Sequence, residues 1–252
     1  MRLVRIVPTS RTFHRYRADE LSGPLPPVIY KVLPERFARR LVDDGEMMWS
    51  TLAWFQNLEE AERGDNCEGR HTYFPISGLE VNRLERAGRP DNTRLLLPEH
   101  GFVSRAAEPH HIFVYSLTHE PTLAIGDAAD RSCVEIFDPP QFIRRIRAAL
   151  SRHSKRWADT LIHDVVRYWS PANPPEAVWA LPHLLTMHKR DDYDHQKEYR
   201  LAFGIRASVF DFENVELFIV DKNAPWPISR PNEPHHRKRL RLGGLEDCCR
   251  LR

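Results

Sequence analysis

Lys189-Arg-Asp-Asp-Tyr-Asp-His-Gln-Lys-Glu-Tyr-Arg-Leu-Ala-Phe203 runs from a charged loop into an apolar strand, and its reading decides how the rest of the chain is placed. Arg190 to Asp194 form the loop, and Glu198 to Ile205 read as the strand. Side chains alternate along a strand, so Glu198, Arg200 and Ala202 share one face and Tyr199, Leu201 and Phe203 the other. Gln196 and Glu198 are then expected to point the same way at the mouth of the strand. An amide and a carboxylate would reach one ligand together. The plainer alternative is a charged strand end with Glu198 paired to Arg200 in solvent.

Other elements follow outward from it. Val215 to Val220 is a last strand, and Asp164 to Tyr168 an earlier one. Pro171 to Pro175 reads as a loop, and Glu176 to His188 as partly helical despite Pro182. Further upstream, His110 to Leu117 and Cys133 to Phe137 read as strands. Pro139 opens a helix over 140–153, with Phe142, Ile146 and Leu150 on its apolar face. Near the start, Val28 to Leu33 is a short apolar strand, and Pro34 opens a helix with Phe37 and Leu41 inward. Gly45 stops that helix, and Glu46 to Ser50 returns as a strand. This strand–helix–strand unit should bring Tyr30-Lys31 and Trp49-Ser50-Thr51 into one neighbourhood. Residues 75–108 read as polar and irregular.

These pieces make an α+β fold with a mixed or antiparallel sheet flanked by helices. The domain spans 28–222, after a basic, then proline-rich arm (1–27) and before a proline-rich, then basic tail (223–252).

At 252 residues with 41% apolar content, the chain can bury a core and is not of a disordered class. A net charge of +2 gives no whole-protein field for nucleic acid. Its basic residues nevertheless cluster at the termini, as Arg2, Arg5, Arg11, Arg15 and Arg17 and as Arg237-Lys238-Arg239-Leu240-Arg241. Such runs can grip phosphates, so nucleic acid enters as a candidate partner. No apolar run approaches the roughly 18 residues of a membrane span, and no membrane partner is expected. Cys67, Cys133, Cys248 and Cys249 show neither a CxxC pair nor disulfide-framework spacing, which fits a reducing cytoplasm. His110, His111, His119 and Asp127 lack the spacing of a zinc site, so a metal-free protein is expected.

One block combines aromatics with dense charge, Trp54-Phe-Gln-Asn-Leu-Glu-Glu-Ala-Glu-Arg-Gly-Asp-Asn-Cys-Glu-Gly69. Arg63-Gly64-Asp65 and Glu68-Gly69 suit a turn-rich loop, with Arg63 and Asp65 as candidate substrate contacts. An exposed acidic helix with a glycine cap is the alternative.

Taken in order, Tyr30-Lys31, the strand from Gly45 to Thr51, Phe113 to Leu117, Gly126 through Phe137, Val165 to Tyr168 and Lys189…Glu198-Tyr-Arg200 resemble a family of bacterial and prophage domains of unknown function. Its members open on a Tyr-Lys strand and close on a Lys…Glu-x-x-Arg-like strand. The likeness covers roughly residues 28–205. The opening and closing signatures also resemble the core of ADP-ribosyltransferases. Those enzymes carry three marks on a split sheet: a basic or polar residue on an early strand, an aromatic or Ser-Thr strand, and a catalytic glutamate, often with Gln or Glu two residues before it.

The resemblance implies an NAD-consuming transferase. Glu198 and Gln196 would be catalytic, with Arg200 beside them on the substrate. Tyr30, Lys31, Trp49, Ser50 and Thr51 would hold NAD, with Phe55 or Trp54 as a further aromatic. Breaking the nicotinamide–ribose bond passes through an oxocarbenium-like state, which a carboxylate near the ribose stabilises. An aromatic can stack on nicotinamide, and Lys31 or an arginine can meet the pyrophosphate. The acceptor would be a nucleic acid or a protein. The families it resembles also suggest a toxin or phage-defence setting, with an antitoxin-type partner protein.

Two readings from other classes compete. Asp127, Glu135 and a later Lys or Gln could form the acidic cluster of a metal-dependent nuclease. Alternatively, the charged 56–69 loop could serve a non-enzymatic partner-binding module.

Overall fold

A computed structural model of the protein describes residues 18–56, 69–82, 85–86, 89–90, 94–120, 131–170, 181–211, 214–223 and 236–252. The first described element is the short helix α1 (Ala18–Leu21). After it, the Gly23 amide donates to the His163 carbonyl (2.8 Å) and the Ser22 hydroxyl accepts from the His163 amide (3.2 Å). This part of the expected arm is therefore fastened to the domain. Strand β1 (Ile29–Pro34) leads into helix α2 (Glu35–Asp44), with Pro34 as its N-cap. Ala38, Leu41 and Val42 make the buried face of α2. Phe37, expected there, falls at the edge of that stripe, stays 38% exposed and stacks under Arg36. Gly45 ends the helix in the left-handed region (φ 63°), and a Cβ there would collide with the Gly243 carbonyl.

Strand β2 (Glu46–Thr51) and helix α3 (Leu52–Gln56) follow. Strand β3 (Arg70–Tyr73) comes next, and the region read as irregular carries β4 (Leu79–Asn82), β5 (Glu85–Arg86), β6 (Arg89–Pro90), β7 (Arg94–Leu97) and the longer β8 (His100–Ala106). A 3-10 turn over Pro109–His111 enters β9 (Ile112–Thr118), followed by β10 (Arg131–Ile136). Asp138 caps α4 (Pro139–His153) by accepting the Gln141 amide (2.9 Å), and α5 (Lys155–Asp159) follows. The run expected as one strand at 164–168 divides into β11 (Ile162–Val165) and β12 (Arg167–Trp169). Then come α6 (Pro182–Thr186), β13 (His188–Arg190), a 3-10 turn over Asp191–Gln196 and β14 (Glu198–Gly204). Strands β15 (Val215–Asp221), β16 (Arg237–Arg241) and β17 (Cys249–Leu251) complete the described chain.

The result is an α+β fold, mostly antiparallel. Its main sheet runs β11-β14-β9-β1-β10-β17. Strand β9 pairs with β1 at Thr118–Tyr30 and with β2 at Val114–Ser50 and Phe113–Thr51, so two neighbours diverge along one of its edges. Strand β16 extends this wing by pairing with β2. A second sheet, β15-β8-β3, and a parallel pair, β12-β13, complete the larger pairings.

The main sheet buries both faces unequally. One carries Trp49, Phe113, Tyr115, Leu117, Val134, Ile136, Tyr199, Leu201 and Phe203, against Ala38 and Leu41 of α2 and Phe142, Ile146 and Leu150 of α4. The other has a smaller apolar cluster, in which Val114, Ile162 and Ala202 meet Leu52, Met187 and Phe210. Around Glu198 that second face is polar.

The segment expected as a loose tail belongs to the core. Leu240, Leu242, Leu245, Cys248 and Cys249 are buried in the larger cluster. Leu240 within the arginine run and Leu242 just after it face inward, while Arg237, Arg239 and Arg241 face out, as strand periodicity requires. Counting basic residues hides that period.

Candidate functional site

The polar face gathers around Glu198. The 3-10 turn ends at Lys197, whose backbone is left-handed (φ 42°) and whose amide donates to the Asp194 carbonyl. Among the described residues, Lys197 is the one non-glycine residue with positive φ. This sharp corner turns both flanking side chains toward a single ammonium. The Lys189 Nζ donates to Gln196 Oε1 (2.8 Å) and lies 3.4 Å from Glu198 Oε2. Lys189 also sits over the Tyr193 ring (4.6 Å).

The other carboxylate oxygen of Glu198 accepts from Arg200 Nε (2.8 Å), whose Nη1 donates to the Thr186 carbonyl (2.6 Å). Glu198 is 3% exposed and Arg200 1%. The expectation of a solvent-facing glutamate therefore fails, because β12, β13 and α6 lie over this end of β14. The Tyr168 hydroxyl accepts from the Glu198 amide (2.9 Å), and the Val166 amide donates to the Glu198 carbonyl (2.9 Å). Burial pushes the Glu198 carboxyl up. The charges of Arg200 and Lys189, with hydrogen bonds from Arg200 and Ser116, outweigh it and hold the group down at about 2. Glu198 is thus a carboxylate throughout the neutral range.

Neighbouring strands supply the rest. Thr118 lies directly opposite Glu198, and Ser116 opposite Arg200. On the next strand Tyr30 is opposite Thr118, and Glu135 opposite Tyr30. Glu135, Tyr30, Thr118 and Glu198 therefore form one polar row across four strands. Behind Lys189, His188 is buried, and its charged form is suppressed by burial and by the nearby His71, Arg167, Arg200 and His183.

Of the residues expected in the site, the structure brings together Gln196, Glu198 and Arg200, with Tyr30 in the same row. Ser50 shares the face but sits opposite Val114, toward the far end of β9. Phe55 packs against the small apolar cluster on that face. Three others lie behind the sheet. Trp49 is fully buried between Tyr115 (5.4 Å) and Phe203 (5.0 Å), and Thr51 pairs with Phe113 on the same side. The Lys31 ammonium donates to the Ser116 carbonyl (2.5 Å) and lies over the Tyr115 ring. The physical reason is parity. Residues adjacent in sequence on a strand cannot share a face, so Tyr30 and Lys31 separate, as do Ser50 and its neighbours. Arg63 and Asp65 lie outside the described residues, as does Asp127.

Sequence reading missed Ser116, Thr118 and Tyr168 as members of this group, while Lys189 stands at the head of the signature that ends on Glu198 and Arg200. A signal was present in Tyr115-Ser-Leu-Thr118, an aromatic followed by two hydroxyls at strand spacing. Glu135, weighed as a metal ligand, instead accepts from Arg250 (3.1 and 3.0 Å) and Arg252 (2.5 Å). Among the described residues no cluster of His, Cys, Asp and Glu is arranged to hold a metal, and Cys133, Cys248 and Cys249 are buried free thiols. Likewise, no described helix is long and apolar enough to cross a membrane. Comparison with protein-family models, curated proteins and solved structures finds no match for the chain.

Proposed function

We propose that the polar face of β14 is the reactive face of an ADP-ribosyltransferase-like, NAD-consuming enzyme. The carrying observation is the convergence of the Gln196 amide and the Glu198 carboxylate on one ammonium, 2.8 and 3.4 Å away. The three marks of the resembling enzymes then map onto consecutive strands. Tyr30 stands for the first in place of Lys31, Ser116-Leu-Thr118 for the second in place of Trp49-Ser50-Thr51, and Gln196-x-Glu198 for the third. In the reaction the bond between ribose C1′ and the nicotinamide nitrogen breaks, and the electron pair leaves with nicotinamide. An acceptor nucleophile bonds to C1′ and loses its proton. Glu198, ionised at neutral pH, faces the developing positive charge. Lys189 and Arg200 hold the Glu198 carboxylate in place, and Gln196 orients the acceptor. A left-handed non-glycine residue between Gln196 and Glu198 is the kind of local strain that accumulates at working sites.

A second reading rests on burial. Both carboxylate oxygens of Glu198 already have a cationic partner, which suits a structural ion network inside a partner-binding module. Incubating the full chain with NAD and measuring free nicotinamide separates the two. Release above the buffer rate supports the enzyme. Absence of both release and NAD binding by calorimetry leaves the binding module.

A further inference from the structure

We propose that the exposed arginine ladder of β16 (Arg237, Arg239 and Arg241) grips the backbone of a single-stranded nucleic acid. The surface is built by strand geometry. These arginines stand opposite Ser50, Met48 and Glu46 on β2, and all three are exposed. Alternate strand residues repeat at roughly 6.6–6.8 Å, close to the step between phosphates of an extended strand. Lys238 and Leu240 point the other way, with Lys238 lying over Trp157 (4.1 Å) and Leu240 in the core, so the ladder is held at a fixed height and spacing.

Charge is in excess along this wing. Glu46 faces Arg40, Arg239 and Arg241 at 3.6, 3.6 and 3.7 Å, so a single carboxylate meets three guanidinium groups, none of them tightly. Arg241 remains 71% exposed and Arg239 52%. Guanidinium groups hold phosphate with two parallel hydrogen bonds, which a lysine cannot do. At the end of the ladder the exposed Arg237 guanidinium lies over the half-buried Trp54 ring (4.3 Å), which backs it as a plane on which a base can stack. A membrane surface would ask for apolar side chains to insert, and this face offers Met48 alone among the exposed large hydrophobic residues on β2 and β16. The site stands independently of the Glu198 chemistry.

The test uses the full chain, fluorescein-labelled dT20 and rU20, and anisotropy titrations over a range of salt. Wild type should bind, with log K falling linearly against log salt. Replacing Arg237→Gln, Arg239→Gln and Arg241→Gln together should flatten that slope by about two, from roughly 0.7 per lost phosphate contact. Arg144→Gln with Arg156→Gln, exposed elsewhere, should leave the slope unchanged. Melting curves of each variant establish that it folds. No binding by wild type at low salt overturns the proposal, as does an equal slope change in the control. Displacement of the oligonucleotide by polyglutamate at equal charge, or binding to phosphatidylserine vesicles without binding to oligonucleotide, also overturns it.

Discussion

Tyr30 and Glu198 face the same residue, Thr118, from the two strands that flank β9, although 168 positions separate them in the chain. A register fixed by backbone hydrogen bonds therefore places a phenol ring and a buried carboxylate in one row. That carboxylate is bound by Arg200 and Lys189, both buried, so its charge serves the fold.

Replacing Glu198 by Gln should therefore be costly. It leaves two buried cations without their anion, and breaking such a pair typically costs about 3–5 kcal/mol. We expect a melting temperature lowered by many degrees. At a temperature where the variant is still folded, nicotinamide release should fall by about 10²–10³. A variant that melts like wild type would refute the buried ion network. One that melts early yet releases nicotinamide normally would restrict Glu198 to structure.

Stability should fall in two stages as the solution is acidified. Burial, with Arg147 nearby, pulls His163 down to about 4, and burial with Arg167 does the same for His183. The unfolded chain takes up these protons near pH 6.5 and the folded chain does not, so stability is full above 6.5 and declines toward 4. Glu198 behaves as a depressed acid. Its contribution is present above its ordinary value of about 4.5 and is lost as pH falls toward 2. Melting temperature measured against pH should show both limbs, and His163→Gln with His183→Gln should shrink only the upper one, to which the buried His188 also contributes.

Trp49→Phe distinguishes a core aromatic from a nicotinamide platform. Its ring packs against Tyr115 and Phe203 on the face away from Glu198. The shortened ring should cost about 1–3 kcal/mol through imperfect packing, while KM for NAD stays unchanged. A raised KM at unchanged stability would return Trp49 to the ligand site.

Much of the architecture was legible because strand and helix periods dominate where one face is buried. The alternation in Glu198 to Phe203 is observed residue for residue, and Phe142, Ile146 and Leu150 line α4 as read. The site was less legible. Which face a residue takes follows from parity, yet which strands stand side by side does not. Strand β9 was read as a strand without a site residue, but it is the one that falls between Tyr30 and Glu198. Residues 75–108 and the C-terminal run failed for another reason. Strands β4 to β7 are short, and β8, the middle strand of its sheet, buries the adjacent Phe102 and Val103 on opposite faces, so no alternation of apolar and polar residues marks it.

The C-terminal segment offers a direct check. Leu245 is fully buried in the larger cluster, and its amide donates to the Val42 carbonyl (2.8 Å). Leu245→Ala should cost about 2–5 kcal/mol, as core leucines do. Ending the chain at residue 235 removes β16, β17 and five buried side chains together, and the product should not give a cooperative melt. A truncated chain with an unchanged melting temperature would show that the segment is a dispensable tail.

Lys31 and Ser116 give the last test, because one acts through the other. The Lys31 ammonium holds the Ser116 carbonyl from one side of the sheet, and the Ser116 hydroxyl bonds the Glu198 carboxylate on the other. Ser116→Ala removes a donor that helps keep Glu198 ionised, so the acid limb of the activity profile should move to higher pH. It should lower kcat by about tenfold with KM for NAD unchanged, consistent with loss of about 1.4 kcal/mol felt in the transition state. Lys31→Met leaves the Ser116 carbonyl without that donor and should cost about 1–3 kcal/mol of stability. If Lys31 only positions Ser116, Lys31→Met should reproduce a weaker form of the same kcat effect and leave KM alone. If Lys31 instead meets the NAD pyrophosphate, KM should rise steeply while the pH profile stays where it was.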